Sequence, residues 1–131
     1  MRWVFAFLLL AHGVAHLPGF IVAWRLRDLQ GLPYRTTLFG TSVDVGAAGI
    51  RVVGVAWLLI ALALASLAVA VTARGDQWRE VLPVVLVMST LLCAMGWPEA
   101  RIGLVANAVI AVLLLAGLRA GVFGPSPWST G

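Results

Sequence analysis

Four long apolar runs separated by short polar breaks organise the chain. They cover about residues 3–24, 50–72, 80–97 and 102–118. A helix needs about 20 apolar residues to cross a hydrocarbon core of about 30 Å. Each run is therefore read as a transmembrane helix. The expected fold is all-α, an integral membrane four-helix bundle forming one domain over residues 1–120. Trp3, Trp24, Trp78 and Trp97 stand at run ends, where an amphipathic ring favours the headgroup level. They support the boundaries independently of hydropathy.

Between the first two runs lies the least regular segment, 25–49. It holds Gly31, Pro33, Gly40, Gly46 and Gly49, with Tyr34, Phe39 and Asp44. Loops beyond about 12–15 residues without secondary structure are uncommon and often functional. Two forms are open here: an irregular functional loop, or a short interfacial helix or hairpin lying over the bundle. The end of the chain, 121–131, carries Pro125 and Pro127 among small polar residues and is expected to be a mobile tail.

Composition narrows the class. Hydrophobic residues make up 62% and charged residues 11%, against about 45–50% and about 25% in a soluble domain. There is too little polar surface to cover a water-soluble globule, and too much apolar content for a disordered chain. Cys93 is the one cysteine, so no intrachain disulfide and no CxxC redox pair can form. Arg2 and the run from Trp3 to Ala11 resemble the start of a signal peptide, with Ala11-His12-Gly13 as a small-x-small site. The apolar stretch continues past that site to Trp24, which favours a retained span.

The net charge is +4, from nine arginines and five acids with no lysine. The arginines flank the apolar runs and form no basic face, so headgroups and topology explain them better than nucleic acid does. Four spans put both termini on one side. Arg2, Arg74, Arg79 and Arg119 lie there, and Arg25, Arg27, Arg35, Arg51 and Arg101 lie on the loop side. Four against five gives the positive-inside rule no majority to act on. Arginine to the exclusion of lysine, beside abundant Ala, Val, Leu and Gly, points to a GC-rich bacterial genome. The expected location is then the bacterial inner membrane.

Helices in lipid associate through small residues and polar contacts. The second span offers Gly54, Ala61, Ala65, Ala68 and Ala70, the fourth Gly103, Ala106, Ala108 and Ala111, and the first Ala11 and Ala15. Pro83 is expected in the first turn of the third span, and Pro98 ends that span.

The polar residues inside the membrane are few. His12 and His16 are four apart, so they share one helix face. Pro18 leaves the carbonyl of Val14 without its helical donor. At about 1.5 Å per residue, Asn107 lies about 9 Å inside Arg101, Cys93 about 6 Å inside Trp97, Trp57 about 9 Å inside Arg51 and His16 about 12 Å inside Trp24. Asp44 and Glu99 cap the same end. The polar groups thus converge on the half beneath the long loop, which predicts a pocket open towards it, while the opposite half is aliphatic. Intramembrane ionisable residues are functional candidates by default. The structural alternative is a histidine pair hydrogen-bonded to Ser89, Thr90 or Asn107.

Several chemistries fail on residue type. A zinc protease needs a Glu where Gly13 stands. A zinc site needs three or four ligands. His12 and His16 supply two, and Asp44, Cys93 or Glu99 would join only if the loop folded inward. Two histidines on one helix face cannot clamp a haem between them. Histidine-box di-iron sites need many more histidines. A proton-coupled exporter of the four-span kind places an acid in its first span, and none is present. Vitamin K epoxide reductase chemistry needs a CxxC pair. No catalytic or metal residues are assigned.

The stretch Phe7-Leu8-Leu9-Leu10-Ala11-His12-Gly13, an Arg near the start, and a second span opening Ile50-Arg51-Val52-Val53-Gly54-Val55 resemble the DoxX-like membrane proteins. The family's basic residue shortly after the His-Gly step is replaced here by His16-Leu17-Pro18. The resemblance implies a four-helix membrane bundle and association with redox or quinone-linked complexes. The leading expectation is binding of a small hydrophobic or redox ligand, a quinone or a lipid. His12 and His16 would be the hydrogen-bonding groups, Trp57, Cys93 and Asn107 the lining, and Asp44 and Glu99 the mouth. The rival is a non-catalytic accessory or scaffold subunit, held by a membrane-protein partner or a second copy of the chain. The bilayer is the expected environment under either reading, and nucleic acid is not an expected partner.

Overall fold

A computed structural model describes residues 1–73 and 76–123. Arg74 and most of the tail expected to be mobile, from residue 124 onward, lie outside the described residues. The chain forms α1 (Arg2–Ala23), β1 (Thr37–Leu38), β2 (Val43–Asp44), α2 (Gly46–Thr72), α3 (Trp78–Met95) and α4 (Arg101–Arg119). All four helices are long and apolar enough to cross a membrane. The all-α bundle expected from the apolar runs is the fold observed.

The outer surface shows which solvent it suits. Trp3, Phe7, Leu10 and Val14 of α1 face outward, as do Val52, Leu59, Leu62 and Val69 of α2. On α4, Ile102 (75% exposed), Val105, Val109 and Val112 do the same. Apolar exposure on this scale marks a lipid-facing surface. The polar side chains His12, His16, Ser89 and Asn107 are buried instead. This inverts the polarity of a water-soluble domain and matches a multi-pass membrane protein.

Helix α2 has 27 residues, or about 40 Å at 1.5 Å per residue. That exceeds a hydrocarbon core of about 30 Å. Its first turn begins before the expected start at residue 50. The Asp44 carboxylate accepts the Gly46 N–H at 2.9 Å and forms the turn into the helix. Ala47 and Ala48 extend it by helix propensity, a signal that hydropathy does not carry. Helix α3 likewise starts two residues earlier than expected, so Pro83 sits in its second turn and not its first.

The small residues that bring helices together are those expected on α2 and differ on α1. Gly13 is the close approach between α1 and α2: a Cβ there would sit 3.0 Å from the Ala61 carbonyl and 3.2 Å from Leu64 Cβ. Ala11, Ala15 and Ala108 are exposed. Gly54, Ala61 and Ala68 are buried as expected.

At the end nearer the termini, Phe5 packs on Trp78 and Phe123 with ring centroids 5.9 and 5.1 Å away. Leu9, Leu64, Val71, Leu82, Leu86, Ile110 and Leu114 continue this core. Trp78 is therefore a buried core residue, 2% exposed, and not an interfacial anchor. The half expected to be aliphatic is apolar but has an aromatic base. The Phe123 carbonyl accepts from the guanidinium groups of Arg2 and Arg79.

At the other end the long loop folds into a hairpin. Strands β1 and β2 pair antiparallel, Thr37 with Asp44 and Leu38 with Val43. The Phe39 N–H donates to the Met95 carbonyl at 2.8 Å and the Gly40 N–H to the Trp97 carbonyl at 2.7 Å. The hairpin is thereby sewn by backbone bonds to the turn between α3 and α4. The two forms left open by the sequence are both present: residues 37–44 form the hairpin, and the irregular stretch before it lines a cavity.

Candidate functional site

Beneath this hairpin lies a cavity of about 330 Å³. Ligand sites typically occupy about 300–1,000 Å³. Helix α1 lines it with His12, Ala15, His16, Pro18 and Gly19, and α2 with Ile50, Val53 and Trp57. Cys93 and Met95 come from α3, and Ile102, Gly103 and Ala106 from α4. The loop supplies Leu32, Pro33, Arg35, Thr37 and Gly40. The position of the pocket agrees with the convergence of polar groups read along the spans.

The histidines lie at the inner part of the lining. Their rings meet edge to face, with centroids 4.6 Å apart. His16 Nδ1–H donates to the His12 carbonyl at 2.9 Å, one turn back along α1. His16 Nε2 lies 2.9 Å from Ser89 Oγ. The Asn107 side-chain oxygen lies 3.0 Å from Ser89 Oγ and 2.7 Å from His12 Nε2. Three helices are thus joined by one polar cluster: α1 through the histidines, α3 through Ser89 and α4 through Asn107. Each member is at most 6% exposed. The Asn107 side-chain nitrogen is buried with no partner among the described residues.

Trp57 lies against the cluster, its ring centroid 5.1 Å from that of His16. Gly19 makes room for it, since a Cβ there would fall 2.6 Å from the indole. Cys93 is buried beside Gly103, where a Cβ would meet the sulfur at 2.5 Å. Its thiol is enclosed by packing and belongs to the lining.

At the mouth, Arg35 pairs with Glu99 at 3.0 Å, tying the loop to the α3–α4 turn. The Arg25 guanidinium stacks 4.1 Å over the Tyr34 ring and steadies the preceding stretch of loop. An exposed or half-exposed ion pair contributes about 0–1 kcal/mol. The hold on the loop therefore comes mainly from the backbone bonds of Phe39 and Gly40.

The predicted site residues divide three ways. His12, His16, Trp57, Cys93 and Glu99 line the cavity. Asn107 stands behind it, holding His12 and not lining the space. Asp44 does not reach the cavity, because its carboxylate is committed to the start of α2. That bond, with a second from the Thr36 side chain, holds its carboxyl below the ordinary carboxylate value. Val14, whose carbonyl Pro18 frees, is exposed and outside the lining. Thr90 bonds within its own helix, to the Leu86 carbonyl, and takes no part.

Ser89 is named in the sequence as a partner of a structural histidine pair, and that is the contact it makes; Arg35 is the charged lining residue that sequence reasoning did not place in the site. Ser89 is four residues before Cys93, so both share one face of α3. Arg35 gave no signal, because its partner Glu99 is distant in sequence. Among the described residues, no three His, Cys, Asp or Glu side chains gather to hold a metal ion. No protein-family model matches the chain, and no curated protein or solved structure matches it either.

Proposed function

We propose that this protein binds a small amphipathic ligand, a quinone or a lipid, in the cavity under the hairpin, within a bacterial inner membrane. The observation that carries this reading is the cavity itself. It runs from a charged mouth at Arg35 and Glu99 to a polar inner end at His12 and His16, between apolar walls. That gradient suits a molecule with a polar head and an apolar body. The resemblance to DoxX-like proteins agrees with a quinone-linked role.

Trp57 gives a direct test. A short-chain 1,4-benzoquinone titrated into the full-length protein in nanodiscs should quench Trp57 fluorescence saturably. The Trp57→Phe difference isolates that signal among six tryptophans. Ala106→Phe, which fills the cavity from α4, should abolish the saturable phase while the helix content stays. Equal quenching in both proteins would refute the proposal.

A second reading has one observation in its favour. The two histidines are bonded to Ser89 and Asn107, as a purely structural pair would be. Under that reading the chain is an accessory or scaffold subunit, and a stoichiometric protein partner retained from native membranes, with an empty cavity, would support it.

A further inference from the structure

The hydrogen-bond geometry of the buried cluster fixes where its protons sit. Neither histidine ring contacts a carboxylate among the described residues. A charged imidazole without a counter-ion is costly inside a bilayer, so both rings are taken as neutral. The first contact is then unambiguous, because a backbone carbonyl can only accept. His16 must carry its proton on Nδ1 and donate it to the His12 carbonyl. Its Nε2 is then a lone pair, and Ser89 must donate its single hydroxyl proton there.

With that proton committed, Ser89 Oγ can only accept from Asn107. The oxygen and nitrogen of a carboxamide occupy near-equivalent positions, and their partners decide which is which. The group 3.0 Å from Ser89 and 2.7 Å from His12 is therefore the amide NH₂. The buried group without a partner is then the carbonyl, which is the less costly of the two to leave unsatisfied. The opposite orientation sets two acceptors face to face at one contact, unless His16 is charged. His12 Nε2 accepts from Asn107, so His12 holds its own proton on Nδ1. That N–H has no protein partner among the described residues, and His12 lines the cavity.

We infer that His12 Nδ1–H is the recognition donor of the cavity and selects ligands that present a carbonyl oxygen. The inference rests on the ligand-binding reading above and adds the polarity of the ligand's head. Ring carbonyls of quinones and ester carbonyls of lipids share this chemistry. Within the cluster His12 is the ring with a free nitrogen, since both nitrogens of His16 are engaged. His16, Ser89 and Asn107 are positioning residues that set the tautomer of His12.

The test uses the full-length protein with ¹⁵N-labelled histidine in nanodiscs. Imidazole nitrogen shifts report the tautomer, and the chain has two histidines. Both rings are expected to be neutral with the proton on Nδ1, so no assignment is needed to read the result. Short-chain 1,4-benzoquinone and dihexanoylphosphatidylglycerol are then added separately. The source of the carbonyl is the probe that moves one Nδ1–H resonance. Finding either ring protonated on Nε2 would overturn the inference. So would a probe that quenches Trp57 and leaves both Nδ1–H signals in place. In either case the ligand-binding reading survives. If neither probe binds the wild-type protein, that reading fails and the inference falls with it.

His12→Gln supplies a second arm. Its amide reaches the Nε2 position and can still meet Asn107, but it has no donor at Nδ1. Affinity for the carbonyl probe should fall about tenfold, the worth of one hydrogen bond. Affinity for an alkylbenzene of equal chain length should not change. An equal fall for both would show a loss of packing and refute the donor role.

Discussion

Ser89→Ala is the sharpest perturbation of the buried cluster. The side chain is fully buried and joins His16 at 2.9 Å to Asn107 at 3.0 Å. Removing its oxygen breaks both links: His16 Nε2 loses its donor, and the Asn107 amide keeps its contact with His12 but loses the one with α3. A buried group so orphaned costs about 1–3 kcal/mol in general. Hydrogen bonds between helices in a bilayer average lower, about 0.6 kcal/mol each. Two lost links therefore predict a destabilisation between about 1 and 3 kcal/mol. Thr90→Ala is the internal control: it also removes a hydroxyl from α3, but one bonded within the helix to the Leu86 carbonyl. Its cost should stay below about 0.5 kcal/mol. Reversible unfolding of the two variants in mixed micelles, followed by circular dichroism, measures the difference. Equal stability of the two would refute the claim that Ser89 ties α1 to α4.

Gly13→Ala should destabilise the protein by about 1–3 kcal/mol, because the added carbon presses on the Ala61 backbone and overpacking has that cost. Ala11→Leu, on the exposed face of the same helix, should be near neutral in the same unfolding assay. Arg35→Ala or Glu99→Gln removes the pair across the mouth. Stability should change by less than about 1 kcal/mol, while ligand dissociation in a stopped-flow experiment should accelerate. Asp44 predicts a pH dependence at the start of α2. Its carboxyl is held low by the Gly46 N–H and the Thr36 side chain, so ionised Asp44 favours the folded turn. That contribution is complete above the ordinary carboxylate value and is lost as pH falls through the lowered one. Hydrogen exchange at the Gly46 amide, corrected for intrinsic rate, should lose protection over that range in the wild type and show no such step in Asp44→Ala.

Span number and polar depth were legible in the sequence because both follow from one-dimensional pattern. Apolar runs long enough to cross a bilayer fix the helices, and rise per residue fixes how deep His16, Trp57 and Cys93 lie. What the pattern cannot carry is rotation about each helix axis. Ala11 and Ala15 look like a packing face by spacing, yet both are exposed and the contact falls on Gly13 between them. The position of Trp78 at a run end suggested the headgroup region, but Phe5 and Phe123 draw it into the core. Asp44 was read as part of the mouth from its place in the loop. Its nearest donor is the Gly46 N–H two residues on, and a local turn bond prevailed over the longer reach. The Arg35–Glu99 pair links residues far apart in sequence, so only the folded loop reveals it.

Ligand binding requires that the cavity beneath the hairpin be occupied in the native membrane. Native mass spectrometry of the protein released from nanodiscs formed directly from its own membrane tests this most directly. The wild type should carry one small organic molecule per chain, absent from the folded Ala106→Phe variant. Finding each protein only at its own bare polypeptide mass would contradict it.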